Sequence, residues 1–138
     1  MTERTFLDTN ILLYAEDARV PAKQERAREV IAALVTDRSA VISTQVLQEF
    51  FVIATKKLRL TAETAQESVA TYAQLDVVIV QPALITSAIQ LHRLHSISFW
   101  DALIVRAAAD GGCTKLLSED LQHQRAFDAL VIENPFVS

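Results

Sequence analysis

Residues 5–15 read TFLDTNILLYA, and within them the chain passes from a strand through a turn into a helix. Thr5 to Leu7 suits a short first strand, and Asp8, Thr9 and Asn10 are residue types that favour turns and helix caps. Ile11 to Ala15 continues as a short apolar helical piece. Short β-branched runs followed by segments of helical period recur downstream, and such alternation favours an α/β layer structure. Pro21 fits the first turn of a helix ending near Arg38, with Val30, Ile31, Leu34 and Val35 as its apolar stripe. Ala40 to Ile42 reads as the second strand, after which Ser43 or Thr44 caps a helix to about Leu58. Thr61 opens another, reaching about Leu75. Val77 to Val80 is the third strand, an unbroken apolar run of the kind covered on both faces of a parallel sheet. Pro82 starts a helix to about Leu94, Ser98 caps the helix Phe99 to Asp110, and Gly111-Gly112 ends it with a left-handed residue. Lys115 to Leu117 and Leu130 to Ile132 are the fourth and fifth strands.

The 138 residues fit one domain, 1–138, and with 51% apolar and 22% charged residues the chain can bury a sizeable core. Only 2 Gly and 3 Pro argue against an all-β sandwich and leave no Gly-rich phosphate cradle. The single cysteine, Cys113, excludes a disulfide framework or multi-cysteine metal site and suits a reducing cytoplasm. The N-terminus, with Asp8 soon after Phe6, does not read as a signal peptide, and no apolar run approaches a membrane span. A net charge of -4 gives no global footprint for nucleic acid, so such a role needs local basic patches or bound cations.

In an open parallel sheet, ligands bind beyond the carboxyl ends of strands, where strand order reverses. Asp8 ends the first strand and Ser118-Glu119-Asp120 ends the fourth. Taken singly, each acid also reads as a cap. Glu49 lies on a helix that is apolar on most sides (Val46, Leu47, Phe50, Phe51, Val52, Ile53, Ala54), which should be largely buried. No Lys or Arg three or four positions away can pair with it. Pairing with a distant Arg, snorkelling to water and metal ligation stay open for Glu49. Asp101 fits a capping box with Ser98, and a helix N-terminus also keeps a carboxylate charged for a cation. Brought together, Asp8, Glu49, Asp101 and Asp120 would make an all-oxygen site suited to Mg²⁺ or Mn²⁺. Without a cation they would repel, and some would have raised pKa values. One or two such ions can orient a phosphodiester and activate water for in-line attack.

With these residues in place, the sequence resembles the PIN-domain ribonucleases, and among them the VapC-type toxins of bacterial type II toxin-antitoxin pairs. The matching segments are FLDTNILLY, TQVLQEFFVIATKK, ISFWDALIVRAAADGGCTKLLSEDLQ and LVIENPF, in order along nearly the whole chain. The resemblance implies a three-layer α/β/α fold with a mostly parallel five-stranded sheet of order 3-2-1-4-5, flanked by helices. It matches Asp8, Glu49 and Asp101 to the family's metal-binding acids, Asp120 to a less constant fourth acid, and Ser118 to the hydroxyl residue before it. Asn10 becomes a supporting polar residue. Glu119 could replace or assist Asp120; register favours Asp120. The implied activity is Mg²⁺- or Mn²⁺-dependent endoribonuclease, with RNA as substrate. The implied partners are a second copy and a VapB-like antitoxin, whose helix or tail fills a groove leading to the acids, with DNA engaged only through that antitoxin.

Lys56, Lys57 and Arg59, with no interleaved acid, are the first candidates for RNA phosphate contacts, whereas Lys23, Arg26 and Arg28 alternate with Glu25 and Glu29 and read as a solvated face. His92 and His95 lack an evident third ligand for zinc, and Trp100 reads as core or interface in preference to a base-stacking residue. Cys113 reads as a small buried residue. Two other functions are weighed. A catalytically silent PIN-like scaffold or RNA-binding module is disfavoured because all four acid positions are filled. A phospho-acceptor receiver is disfavoured because Gln81-Pro82 and Asn134-Pro135 stand where it needs Asp and Lys.

Overall fold

The computed structural model describes residues 3–137. Its strands are β1 (Thr5–Leu7), β2 (Ala40–Ser43), β3 (Asp76–Val78), β4 (Lys115–Leu117), β5 (Ala126–Phe127) and β6 (Leu130–Glu133). The helices are α1 (Thr9–Ala15), α2 (Pro21–Thr36), α3 (Thr44–Lys56), α4 (Ala62–Tyr72), α5 (Pro82–Leu94) and α6 (Phe99–Asp110). The strands form one sheet in the order β3-β2-β1-β4-β6-β5, flanked by helices, so the expected 3-2-1-4-5 order holds with one addition. That addition is β5, two residues long and antiparallel to β6; every other pairing is parallel. A strand so short carries no alternation to read, which is why five strands were expected.

The order in which strands are added reverses at β1. From it β2 leaves on one side and β4 on the other, pairing Thr5 with Ala40 and with Lys115 and making this the switch point. The central strands are sealed: Phe6, Leu7, Val41, Ile42, Leu116 and Ile132 are all buried. The third strand departs from expectation. It is shifted to Asp76–Val78 and lies at the sheet edge, where Val77 and Val78 are half-buried and Ile79 is 64% exposed. An apolar run alone cannot tell a doubly covered strand from an edge.

Two helices also differ from expectation, α2 in its apolar stripe and α3 in being less buried than expected. In α2 the buried position is Ala27, with Val30, Ile31 and Leu34 beside it, while Val35 faces outward. In α3 the core face is Val46, Phe50 and Ala54, spaced by whole turns, and Phe51 and Val52 are exposed. The helix is therefore covered on one side only. Gly112 supplies the left-handed residue after α6, at φ 73°. Gly111 serves packing instead: a Cβ there would stand 3.0 Å from Val78 Cγ2 and 3.1 Å from Val41 Cγ1. Among the described residues, no helix is long and apolar enough to cross a membrane.

Candidate active site

A cavity of about 140 Å³ opens at the carboxyl ends of β1 and β4, and Asp8, Glu49, Asp101 and Asp120 all line it, with Thr9, Asn10, Gln45 and Trp100. The four acids reach it from four places: the end of β1, the middle of α3, the first turn of α6 and the turn after β4. No Lys, Arg or His lines it. The donor set is all hard oxygen, the chemistry that suits Mg²⁺ or Mn²⁺. Among the described residues, no three acid, His or Cys side chains converge tightly enough to enclose an ion as they stand. The acids are drawn to protein donors instead.

Asp8 shows how capping and site duties coincide. It is the N-cap of α1, its Oδ1 accepting from Thr9 N at 2.7 Å, while its Oδ2 accepts from Ser118 Oγ at 2.7 Å. Burial pushes its carboxyl up from the ordinary 3.8 to about 7; the bonds from Ser118 and Thr9 pull the other way, and the charges of Asp120 and Glu49 add to the rise. Glu49 is half-buried. Its Oε1 accepts from Thr9 Oγ1 at 2.7 Å and its Oε2 from Gln45 Nε2 at 3.4 Å. No distant Arg pairs with it among the described residues. Asp101 donates its N–H to Ser98 Oγ at 3.1 Å, the forward half of the capping box. Its carboxyl is raised above the usual range, first by burial and then by the charge of Asp120, against a lowering bond to Ser98.

The turn after β4 separates its two acids. Asp120 is exposed at the cavity and accepts from Asn10 Nδ2 at 3.0 Å. Glu119 is turned away: it accepts from Tyr14 Oη at 2.8 Å and pairs with Lys23. Burial opposes its charge, but Lys23 and Tyr14 together hold Glu119 below the ordinary carboxylate range. Asn10 Oδ1 accepts from Glu119 N at 3.2 Å, so one amide side chain grips both residues. Ser118 Oγ accepts from Asp120 N at 3.1 Å.

Several participants were not read from the sequence. Thr9 and Gln45 are both buried, and each donates to Glu49. Gln45 Nε2 also donates to the Trp100 carbonyl at 3.3 Å, which leaves Gln45 Oε1 buried without a donor, at a cost of about 1–3 kcal/mol. Lys23, read as part of a solvated face, pairs with Glu119 and sits over the rings of Tyr14 and Phe136. Trp100 is not in the core: it is 60% exposed at the cavity rim. Lys56, the last residue of α3, and Lys57 and Arg59 just after it are exposed at the far end of the helix and do not line the cavity. The histidines are dispersed: His92 contacts the Ile97 carbonyl, His95 packs on Phe127, and His123 accepts from Asn134 N. Cys113 is buried, and burial pushes its thiol up.

Fold and crevice together define a mostly parallel α/β domain whose switch-point pocket holds four carboxylates and no protein cation. Residues 5–128 match the family model described as PIN domain, and the chain belongs to that family. Comparison with curated protein sequences finds no match. Among solved structures, VapC20 of Mycobacterium tuberculosis, described as a sarcin-ricin loop cleaving toxin, superposes with TM-score 0.64 at 18% identity, over 81% of this chain and 86% of that one. A toxin-antitoxin complex from Klebsiella pneumoniae gives TM-score 0.70 at 16% identity, over 96% of this chain and 98% of that one. VapBC2 from Rickettsia felis, bound to a DNA fragment from its promoter, gives 0.69 at 19% identity, over 94% and 97%.

Proposed function

We propose that this chain, as one PIN domain over residues 1–138, is a metal-dependent endoribonuclease and the toxin of a VapBC-like toxin-antitoxin pair. The observation that carries this is the cavity in which Asp8, Glu49, Asp101 and Asp120 meet with no protein cation among them, in a PIN-family chain. Burying like charges together is unfavourable unless something neutralises them. Asp8, Glu49, Asp101 and Asp120 would hold Mg²⁺ or Mn²⁺. Bound there, the ion supplies charge neutralisation for a phosphodiester and lowers the pKa of water for attack. Thr9 and Gln45 orient Glu49, Ser118 orients Asp8, and Asn10 holds Asp120. Such supporting bonds fix a ligand's direction before a cation arrives.

The toxin assignment and a VapB-like antitoxin as partner are supported by the toxin and toxin-antitoxin structures that share the fold, and a second copy of the chain is proposed as a further partner on the family resemblance. DNA would be engaged only through the antitoxin. A reducing cytoplasmic setting agrees with the lone buried Cys113. Lys56, Lys57 and Arg59, exposed and free of ion pairs among the described residues, would guide RNA phosphates at a distance from the acids.

The test is cleavage of total RNA by purified, antitoxin-free protein in Mn²⁺, with EDTA and Asp8→Asn as paired controls. Discrete products that disappear with chelator and with the variant are expected. Cleavage that survives in Asp8→Asn, Glu49→Gln and Asp101→Asn alike would overturn the assignment.

A further inference from the structure

Beside the acid cavity lies a second pocket of about 400 Å³, lined by Gln45, Gln48, Glu49, Val52, Ile53 and Trp100. The two spaces share Gln45, Glu49, Ile53 and Trp100, so whatever occupies one sits next to whatever occupies the other. We propose that this pocket binds a nucleobase, that of a nucleotide flanking the phosphate at the four acids, with Trp100 as its stacking face and the Gln45 and Gln48 amides at its edge. The inference rests on the ribonuclease assignment for the placement of the phosphate, but not for the pocket's own chemistry.

Three observations converge on a base. The first is Trp100. It is 60% exposed in the first turn of a helix whose middle, Ala102 to Val105, is buried, and among the described residues only Phe99, at 5.0 Å and 69° between planes, meets its ring in an aromatic contact. A flat, amphipathic surface left open beside a candidate phosphate site is what base stacking uses. The second is Gln45. Both groups near its Nε2 are acceptors, the Glu49 carboxylate and the Trp100 carbonyl, so the orientation of the amide is set by its neighbours. Its Oε1 is then a buried acceptor without a donor, in a residue only 4% exposed that forms part of both pockets. Every nucleobase that pairs presents an N–H on its edge, which is the group this oxygen lacks.

The third observation is charge. Glu49 is the only ionisable residue lining the pocket, and no cation lines it. A phosphate would be repelled there and an acidic peptide equally so. Val52 and Ile53 offer apolar surface, and Gln48 a neutral amide at the mouth. Apolar walls with a few placed polar groups suit a neutral heteroaromatic ring.

Trp100 is the only tryptophan in the chain, so its emission reports on this pocket alone. Full-length protein in EDTA is titrated with adenosine, guanosine, cytidine and uridine, and with ribose as the base-free control; none carries a phosphate, so the acids do not repel them. Saturable quenching is expected for at least one nucleoside, at a half-saturating concentration about tenfold or more below any response to ribose. Val52→Met, a longer neutral side chain at an exposed position of the pocket lining, should weaken that quenching about tenfold or more. In Mn²⁺, the products that Val52→Met releases should lose the wild-type base preference next to the cut, whatever its overall rate. Equal response to nucleosides and ribose overturns the pocket, as does an unchanged cut-site preference in Val52→Met. So does a homodimer whose dissociation on dilution uncovers Trp100 and red-shifts its emission, because the face then belongs to a second copy. If quenching is base-dependent and wild-type protein cuts no RNA in Mn²⁺, the ribonuclease assignment fails while the base pocket stands.

Discussion

Ser118 Oγ donates to Asp8 Oδ2 at 2.7 Å, joining the ends of two strands that are neighbours in the sheet but lie 110 residues apart in sequence. The same hydroxyl accepts from Asp120 N at 3.1 Å, so one buried side chain positions two of the four acids. The link follows from register. Leu7 pairs with Leu117, which brings the next residue of each strand, Asp8 and Ser118, to the same rim.

Ser118→Ala removes that donor and leaves the Asp8 carboxyl short of a partner in a buried place. Its unfolding free energy should fall by about 1–3 kcal/mol, measured by urea denaturation in EDTA. Mn²⁺ affinity should fall about tenfold, the usual effect of losing a group that orients a ligand. Unchanged Mn²⁺ binding in a correctly folded variant would show that Asp8 needs no such support.

Asp8 makes metal-free stability depend on pH. Its carboxyl titrates at about 7 in the folded chain against an ordinary 3.8. Between those values the folded state holds a proton that the unfolded state has lost. The stabilisation linked to that proton is fully present below pH 3.8, declines across the interval and is gone above about pH 7. The decline amounts to a few kcal/mol. Thermal melts in EDTA should therefore fall from pH 5 to pH 8 in wild type, with a much shallower fall in Asp8→Asn. Equal slopes in the two proteins would place the linkage elsewhere.

The strand order follows from the family resemblance, and three of the four acids lining the cavity sit where local pattern marks a position: Asp8 and Asp120 after strand ends and Asp101 in a first helical turn, whereas Glu49, in the middle of α3, stands out only as an acid on a mostly apolar helix. What surrounds the four could not be read from the chain. Thr9 follows Asp8 and looks like one more turn residue; only the packing of α1 on α3 brings its hydroxyl within 2.7 Å of Glu49. Lys23 sits among alternating charges on α2, and its partner Glu119 is 96 residues away. The expected burial of α3 falls short for a related reason. Its apolar residues run nearly all round the helix, so periodicity does not say which stripe the core takes, and Phe51 and Val52 face outward.

Thr9→Val keeps the shape of the side chain and removes its donor to Glu49. The fold should be retained, and half-maximal RNA cleavage should need about tenfold more Mn²⁺, with activity recovered at saturation. A loss of activity that excess Mn²⁺ cannot restore would point to a role for the hydroxyl beyond orienting Glu49.

Asp101 carries opposing effects that a single substitution can weigh. Burial and the charge of Asp120 disfavour its carboxylate, while its place in the first turn of α6 favours it. Asp101→Asn should melt higher than wild type by a few degrees in EDTA at pH 8, where the charge is present, and should bind Mn²⁺ more weakly. A lower melting temperature in EDTA would mean that the helix-end contribution is the larger one.

The turn after β4 offers two adjacent acids, and their partners divide the work between them. Asp120 lines the cavity and is held by Asn10, whereas Glu119 faces Tyr14 and Lys23 and cannot reach the cavity without giving up both. Asp120→Asn should therefore lower Mn²⁺-dependent cleavage by about 10- to 100-fold, while Glu119→Gln, which keeps its bond from Tyr14, should stay within about threefold of wild type. Lys23→Ala should resemble Glu119→Gln in cleavage but lose about 1 kcal/mol of stability, because the ammonium also packs over the Tyr14 and Phe136 rings. The reverse pattern, with Glu119→Gln inactive and Asp120→Asn near wild type, would mean that the turn rearranges when a cation binds and that Glu119 supplies the fourth carboxylate.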